Sequence, residues 1–282
     1  MDLLSLALIF VFGTIIGSFL NVVIYRYNSG SSPLKGRSQC FSCAKTLHWY
    51  ELVPIVSFLI QGGRCRGCHA KISWQYITVE ILSGIIFVSV FLLGKKPLET
   101  AYLLTIFSTL LVIGVYDLRH QIIPDGLVAF FALLSLAWFL WTMHLGLGLS
   151  EMFRYPFIWE LLAGPILFFP FWALWAISRG KWIGLGDGKL AIGIGWFLAS
   201  PLGGATPGGS AIMLAFWIGA FWALGIIFGQ KVVPLFRWKG RTTHLSMKSE
   251  IPFGPFLILA VFVVYFTHIN FFDGSITFFT FL

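Results

Sequence analysis

Long runs of apolar residues, separated by shorter polar connections, follow one another along the whole chain. Runs of roughly 17 to 25 apolar residues are long enough to cross a bilayer as helices. The pattern predicts such segments at about 3–24, 76–94, 100–116, 126–143, 157–177, 189–204, 211–229 and 252–272. We therefore expect an all-α polytopic membrane protein with about eight transmembrane helices.

The composition strengthens this prediction. Of the 282 residues, 58% are hydrophobic and only 11% are charged, whereas soluble domains carry about 25% charged residues. The first apolar run lacks a basic region before it and a small-residue cleavage site after it, so we expect a retained helix rather than a signal peptide.

The positive charges fall on alternate connections between the apolar segments. Of the 19 Lys and Arg residues, only Lys95, Lys96 and Arg154 lie on the less basic side. Because cytoplasmic loops carry the excess of Lys and Arg, the odd-numbered connections are expected in the cytoplasm and both termini outside. Topology and contact with anionic membrane lipid explain the net charge of +8, and no nucleic-acid partner is expected.

Two polar inserts, 25–75 and 231–251, interrupt the apolar pattern. We expect a first transmembrane helix over 1–24, a cytoplasmic four-cysteine loop over 25–75, and a membrane-embedded core of about seven helices over 76–282.

The first insert contains two CxxC pairs, Cys40 with Cys43 and Cys65 with Cys68. Each pair lets two thiolates approach one ion from a tight turn, and two pairs complete a closed tetrahedral zinc site. Disulfides are disfavoured in a reducing cytoplasm, and four unligated thiols are the remaining interpretation. We expect a small zinc-ribbon-like loop with a structural zinc ion on all four cysteines, whose binding supplies folding energy.

Asp117, Asp125 and Asp187 lie where an apolar segment meets the predicted cytoplasmic face. Carboxylates at membrane depth are costly, and they indicate a functional site. Asp125 follows Pro124 directly before an apolar segment, which favours a helix cap or a supporting role. A helix cap is also the alternative interpretation of Asp187.

Asp187 lies in the glycine-rich stretch Gly184-Leu-Gly-Asp-Gly-Lys-Leu190. Glycines let a substrate backbone approach closely, which suits cleavage of an extended peptide. We predict a supporting role for the residues around the aspartates, namely Asp125, Gly184, Gly186, Gly188 and Lys189.

Two carboxylates brought close together cannot both ionise easily, and such a pair shares a proton near neutral pH. The ionised member takes a proton from water, while the protonated member polarises a carbonyl and protonates the leaving amine. Such a pair can cleave a peptide without a metal. A proton-coupled transporter that uses the same carboxylates stays open on these features, as does a non-catalytic scaffold whose cysteine loop binds a partner.

The ordered motifs resemble the type IV prepilin peptidase family over nearly the whole chain. The stretches that carry the resemblance are Gly17–Arg26, the two CxxC pairs, Ile72–Tyr76 with Glu80, Asp117–Asp125, Gly184–Leu190 and Ile251–Phe256. No single stretch is specific, but the ordered set is.

The resemblance implies a Gly-x-Gly-Asp aspartyl protease of the bacterial inner membrane, with Asp117 and Asp187 as the catalytic pair facing the cytoplasm. It implies type IV prepilins or type II secretion pseudopilins as substrates, whose basic leader is removed after a glycine. It also implies methylation of the new N-terminus from S-adenosylmethionine. The sequence shows no glycine-rich adenosylmethionine loop, so no cofactor-binding residue and no oligomeric state are predicted.

Overall fold

The computed structural model describes residues 2–30, 32–146, 155–202, 204–232 and 252–272. Across these ranges the chain is helical, and its β-structure is limited to the isolated bridges Gln39–Thr46 and Arg64–Lys71. The α-helices are α1 (Leu3–Arg26), α2 (Val56–Ile60), α3 (Gln75–Leu92), α4 (Pro97–His120), α5 (Asp125–Gly146), α6 (Tyr155–Leu161), α7 (Ala163–Ser178), α8 (Leu185–Leu202), α9 (Thr206–Val232) and α10 (Gly254–Thr267). For these residues, the prediction of an all-α protein is confirmed.

Within the described ranges, five helices are long and apolar enough to cross a membrane, which makes the chain a multi-pass membrane protein. They are α1, α3, α4, α5 over Asp125–Thr142, and α9 over Thr206–Ile226. The predicted segments 157–177, 189–204 and 252–272 also form helices, but none of these is among the five. The number of eight spans therefore stays a prediction. Most of the predicted insert 231–251 lies outside the described residues.

The chain divides into two compact units, Met1–Val115 and Tyr116–Leu282. In the first unit, α1 and α3 pack so closely that a Cβ atom on Gly17 would lie 2.8 Å from the Glu80 Cα. The Ser83 hydroxyl donates to the Gly13 carbonyl at 2.8 Å, and the Asn21 amide donates to the Tyr76 carbonyl at 3.1 Å. Small residues and interhelical hydrogen bonds of this kind hold membrane helices together.

In the second unit, α8 packs against α5 and α7. A Cβ atom on Gly193 would lie 2.5 Å from a ring carbon of Phe131, and one on Gly195 would lie 2.6 Å from the Gly164 Cα. These glycines therefore lie at helix–helix contacts and do not interrupt the helix.

One predicted segment, 157–177, is divided into α6 and α7. Pro165 has no N–H to donate to the carbonyl of Leu161, four residues earlier. The Trp196 indole N–H of α8 donates to that carbonyl at 2.8 Å instead. A partly buried backbone acceptor left without its helical donor by proline thus receives a partner from another helix, as membrane helices require.

Candidate active site and metal centre

Asp117 lies in the last turn of α4, and only 4% of its surface is exposed. The backbone N–H of Gly254, the first residue of α10, donates a hydrogen bond to its carboxylate. A Cβ atom on Gly254 would lie 2.6 Å from the Asp117 Oδ2 atom. This close approach requires a residue without a side chain at position 254.

Asp187 lies in the first turn of α8, and 7% of its surface is exposed. Its Oδ1 atom is buried and has no hydrogen-bond partner among the described residues. The charges of Asp117 and Asp187 are close enough to interact. The structure thus brings together two buried carboxylates from helices that are far apart in the sequence.

Ile123 lies in the connection between α4 and α5. It contacts the segment that carries Asp187 and also the segment around Gly254, which contacts Asp117. A Cβ atom on Gly186 would lie 3.0 Å from the Ile123 Cβ, and one on Gly254 would lie 3.4 Å from the Ile123 Cδ1. The start of α8 and the start of α10 therefore both pack against this one side chain.

Asp125 has a different environment. It is the first residue of α5, and 71% of its side chain is exposed. Its Oδ1 atom accepts a hydrogen bond from the Lys189 Nζ at 2.8 Å, so that the two side chains form an ion pair. This pair links the start of α5 to the first turns of α8, while leaving Asp125 outside the buried carboxylate pair.

The three glycines around Asp187 have distinct surroundings. Gly186 packs against Ile123, and a Cβ atom on Gly188 would lie 3.0 Å from the Phe171 Cβ of α7. Within the described ranges, the atom nearest to a Cβ atom on Gly184 would be the Asp187 Oδ2 atom, at 3.8 Å. Gly184 is thus the position with open space beside the aspartate, whereas Gly186 and Gly188 serve close packing.

Ile123 and Gly254 both belong to stretches that carry the family resemblance, Asp117–Asp125 and Ile251–Phe256. The sequence alone assigned neither residue a role. The Pro-Phe-Gly-Pro pattern around Gly254 signals the start of a helix. Nothing in that local pattern indicates a contact with Asp117, which lies more than a hundred residues earlier.

In the first unit, the four cysteines form one cluster, and their sulfur atoms all lie within 4.8 Å of one another. Each pair lies on a tight turn of the same design. In the first turn, the Cys40 N–H donates to the Lys45 carbonyl and the Ala44 N–H donates to the Cys40 carbonyl. In the second turn, the Cys65 N–H donates to the Ala70 carbonyl and the His69 N–H donates to the Cys65 carbonyl. Ala44 and His69 hold the same position in the two turns, and both have a φ of 56°.

The cluster fits a tetrahedral metal site. Zinc–thiolate bonds of about 2.3 Å place tetrahedral sulfur atoms about 3.8 Å apart, and the Cys40 and Cys68 sulfurs lie 3.8 Å apart. The backbone N–H groups of Ser42 and Cys43 lower the pKa of the Cys40 thiol to about 6. The Ala70 N–H lowers the pKa of Cys68, but burial and the neighbouring thiols raise it to about 11. Thiols packed this closely need a cation before all of them ionise.

The fold and the carboxylate pair place the chain in a class of multi-pass membrane proteins with paired buried aspartates and a four-cysteine loop. Two family models match it: the bacterial peptidase A24 N-terminal domain over residues 11–93 and the type IV leader peptidase family over residues 104–233. The chain belongs to the type IV leader peptidase family, as its motifs predicted.

Relatives with assigned names support this placement. The chain is 32% identical to a prepilin leader peptidase/N-methyltransferase of Myxococcus xanthus, over 67% of this chain and 55% of that protein. It is 30% identical to a type 4 prepilin-like proteins leader peptide-processing enzyme of Escherichia coli, over 65% of this chain and 73% of that protein. It is 29% identical to a prepilin leader peptidase/N-methyltransferase of Aeromonas hydrophila, over 91% of this chain and 89% of that protein. No solved structure matches the chain.

Proposed function

We propose that this chain removes the basic leader peptide from type IV prepilins or type II secretion pseudopilins, with Asp117 and Asp187 as its catalytic pair. The observation that carries the proposal is the burial of both carboxylates at helix ends, where their charges interact. Among the aspartates at predicted membrane boundaries, the exposed and ion-paired Asp125 lacks this environment.

The different hydrogen-bond surroundings of the two aspartates support different roles for them in the proposed reaction. The Asp117 carboxylate accepts a hydrogen bond from the backbone N–H of Gly254, and an ionised carboxylate accepts such a bond more strongly than a neutral one. Asp117 is therefore the base that takes a proton from the attacking water. Asp187, whose buried Oδ1 atom has no hydrogen-bond partner in the described part of the chain, holds the proton, polarises the scissile carbonyl and then protonates the leaving amine.

The position of the pair suits the substrate class. Asp117 lies at the end of a membrane-spanning helix, where the boundary between a polar leader and an apolar helix would lie. The proposed topology places this face in the cytoplasm, both termini outside, and the chain in the inner membrane with about eight spans.

The four-cysteine cluster is proposed as a structural zinc site, in a cytoplasmic loop over 25–75 that precedes the membrane-embedded core over 76–282. Cys40, Cys43, Cys65 and Cys68 would hold the ion. When bound, the metal supplies folding energy to a loop with little core of its own. A site with four thiolates has no open position, so the ion takes no part in hydrolysis.

N-methylation of the new N-terminus from S-adenosylmethionine is the second proposed activity, and it is based on the names of the relatives. Across the described residues, no strand followed by a glycine-rich turn and a helix is present to hold the methyl donor. No residue is therefore assigned to this cofactor, and no step is derived through it.

The purified protein, reconstituted in vesicles, is expected to convert a prepilin into a product that has lost its leader. Mass spectrometry distinguishes the uncut chain, the cut chain, and the cut chain with one additional methyl group. A chain that stays uncut, together with proton-gradient-dependent uptake of a solute, would favour a transporter and contradict the proposal.

A substitution at Gly254 tests the geometry of the site. In Gly254→Ala, the new methyl group would lie 2.6 Å from the Asp117 Oδ2 atom and displace the carboxylate. Misplacement of a catalytic group by about 1 Å costs about 10²-fold, so we expect the rate of leader cleavage to fall by about that factor. The control is Gly225→Ala in α9, where a Cβ atom meets no atom of the described residues within 4 Å. Equal cleavage by both variants would contradict the proposed contact.

A further inference from the structure

The four-cysteine loop contains a short segment, residues 52–60, with an exposed apolar surface. It begins after a 3-10 turn, Trp49–Glu51, and includes α2. Its exposed side chains are Leu52, Val53, Val56, Leu59 and Ile60, with exposures from 37% to 70%. Phe58 points the other way and is buried. The segment therefore has one face packed on the protein and one apolar face that no described residue covers.

Two contacts fix the segment at the level where α3 begins. The Ile55 N–H donates to the Glu80 Oε2 atom at 2.7 Å. The ring centroids of Phe58 and Trp74 lie 5.2 Å apart, and Trp74 directly precedes α3. Glu80 is the sixth residue of α3, and helix side chains lean toward the helix N-terminus. Its carboxylate therefore ends near the first turn of this membrane-spanning helix.

The backbone at Ile55 adopts an uncommon conformation to make this contact. Its φ of 60° and ψ of −54° are rare for a β-branched residue. The Val56 N–H donates to the Pro54 carbonyl across this tight turn. The turn points the Ile55 N–H toward Glu80, and α2 begins at the next residue. The segment is therefore anchored to α3 and is not free in solution.

The residues around the segment match the boundary of a membrane. Trp49 and Trp74 are 79% and 72% exposed, and tryptophan is enriched at membrane–water interfaces. Arg64, Arg66 and Lys71 follow the segment and are also exposed. Basic residues next to a membrane span attract anionic lipid, and they would repel the basic leader of a prepilin.

We infer that residues 52–60 insert their exposed apolar side chains among the lipids of the leaflet that surrounds the first turns of α3. Lipid contact covers the apolar face at a depth of about 5–10 Å, as in other interfacial segments. The four-cysteine loop is thereby held against the membrane at a second place, in addition to the ends of α1 and α3. This inference is independent of the proposed peptidase activity.

The test uses the full-length protein in vesicles that contain anionic lipid. A small fluorescent amino acid is incorporated by codon suppression at Leu59 or Ile60, and its quenching by lipids with brominated acyl chains and by aqueous iodide is measured. Ile15, exposed in the middle of α1, is the lipid reference, and Thr46, exposed in the same loop, is the aqueous reference. Two probe positions are used because each replaces one exposed side chain.

The inference predicts several-fold stronger bromolipid quenching at 59 and 60 than at 46, together with weak quenching by iodide. Strong iodide quenching and weak bromolipid quenching at 59 and 60 would overturn it. Shielding from iodide that arises only after a prepilin is added would also overturn it, and would assign the surface to the substrate. Equal bromolipid quenching at 46 would overturn the assignment of lipid contact to residues 52–60.

Discussion

Replacement of Asp117 or Asp187 with asparagine is expected to abolish leader cleavage while the protein stays folded. Asparagine matches aspartate in size, but it cannot take up or release the proton that the reaction requires. Loss of general acid–base catalysis costs about 10²–10⁴-fold, so cleavage in a vesicle assay with a prepilin substrate should fall by at least that range. Burial of a carboxylate costs folding free energy, and either substitution replaces a buried carboxylate with a neutral amide. No large loss of thermal stability is therefore expected.

The matched control for these variants is Asp125→Asn. Asp125 is the exposed member of an ion pair with Lys189, and exposed pairs contribute at most about 1 kcal/mol. We expect this variant to cleave within about fivefold of the wild-type rate, since 1 kcal/mol corresponds to about that factor. A loss as large as that of Asp117→Asn would show that the wrong carboxylate was assigned to the pair.

The second large effect is expected at the metal centre. Cys40→Ser removes one of the four proposed thiolate ligands. Loss of a residue that only supports a metal ligand lowers metal affinity by up to about 10²-fold. Loss of a ligand itself should lower zinc affinity by more than that. Metal analysis of the purified protein should find about one zinc ion per wild-type chain and little in the variant. The loop over 25–75 should also become sensitive to protease, because metal binding supplies its folding energy.

His69→Asn is the control for the metal centre. His69 is adjacent to Cys68 and has a φ of 56°, a conformation that asparagine tolerates. Because the four cysteines are the proposed ligands, this variant should keep its zinc. Loss of zinc from His69→Asn, or full zinc content in Cys40→Ser, would contradict the proposed ligand set.

The sequence predicted those parts of the molecule that depend on local pattern. Apolar runs placed the helices, and CxxC spacing placed the four cysteines, because a tight turn between two cysteines is a local structure. Helix ends were less accurate. The helix predicted at 189–204 begins at Leu185, because Gly186 and Asp187 in its first turn are polar or small and do not extend the apolar run. An acidic residue there is favoured by the helix dipole.

Contacts between distant residues could not be predicted. The approach of Gly254 to Asp117, the packing of Ile123, and the hydrogen bond from Ile55 to Glu80 all join residues that are separated along the chain. Glu80 belongs to a stretch that carries the family resemblance, but the sequence assigned it no role, and its partner is the backbone of a loop with an unusual turn. The short helix α2 was missed because five residues are too few to show a helical period.

The most direct test of the account is a double-mutant cycle on the two aspartates. Leader cleavage is measured by mass spectrometry for Asp117→Asn, Asp187→Asn and the double variant, in the same vesicles and with the same prepilin. Residues that act as one catalytic unit are strongly non-additive, so the account predicts that the double variant is no slower than either single variant. Substantial cleavage by either single variant, or losses that multiply in the double variant, would contradict it.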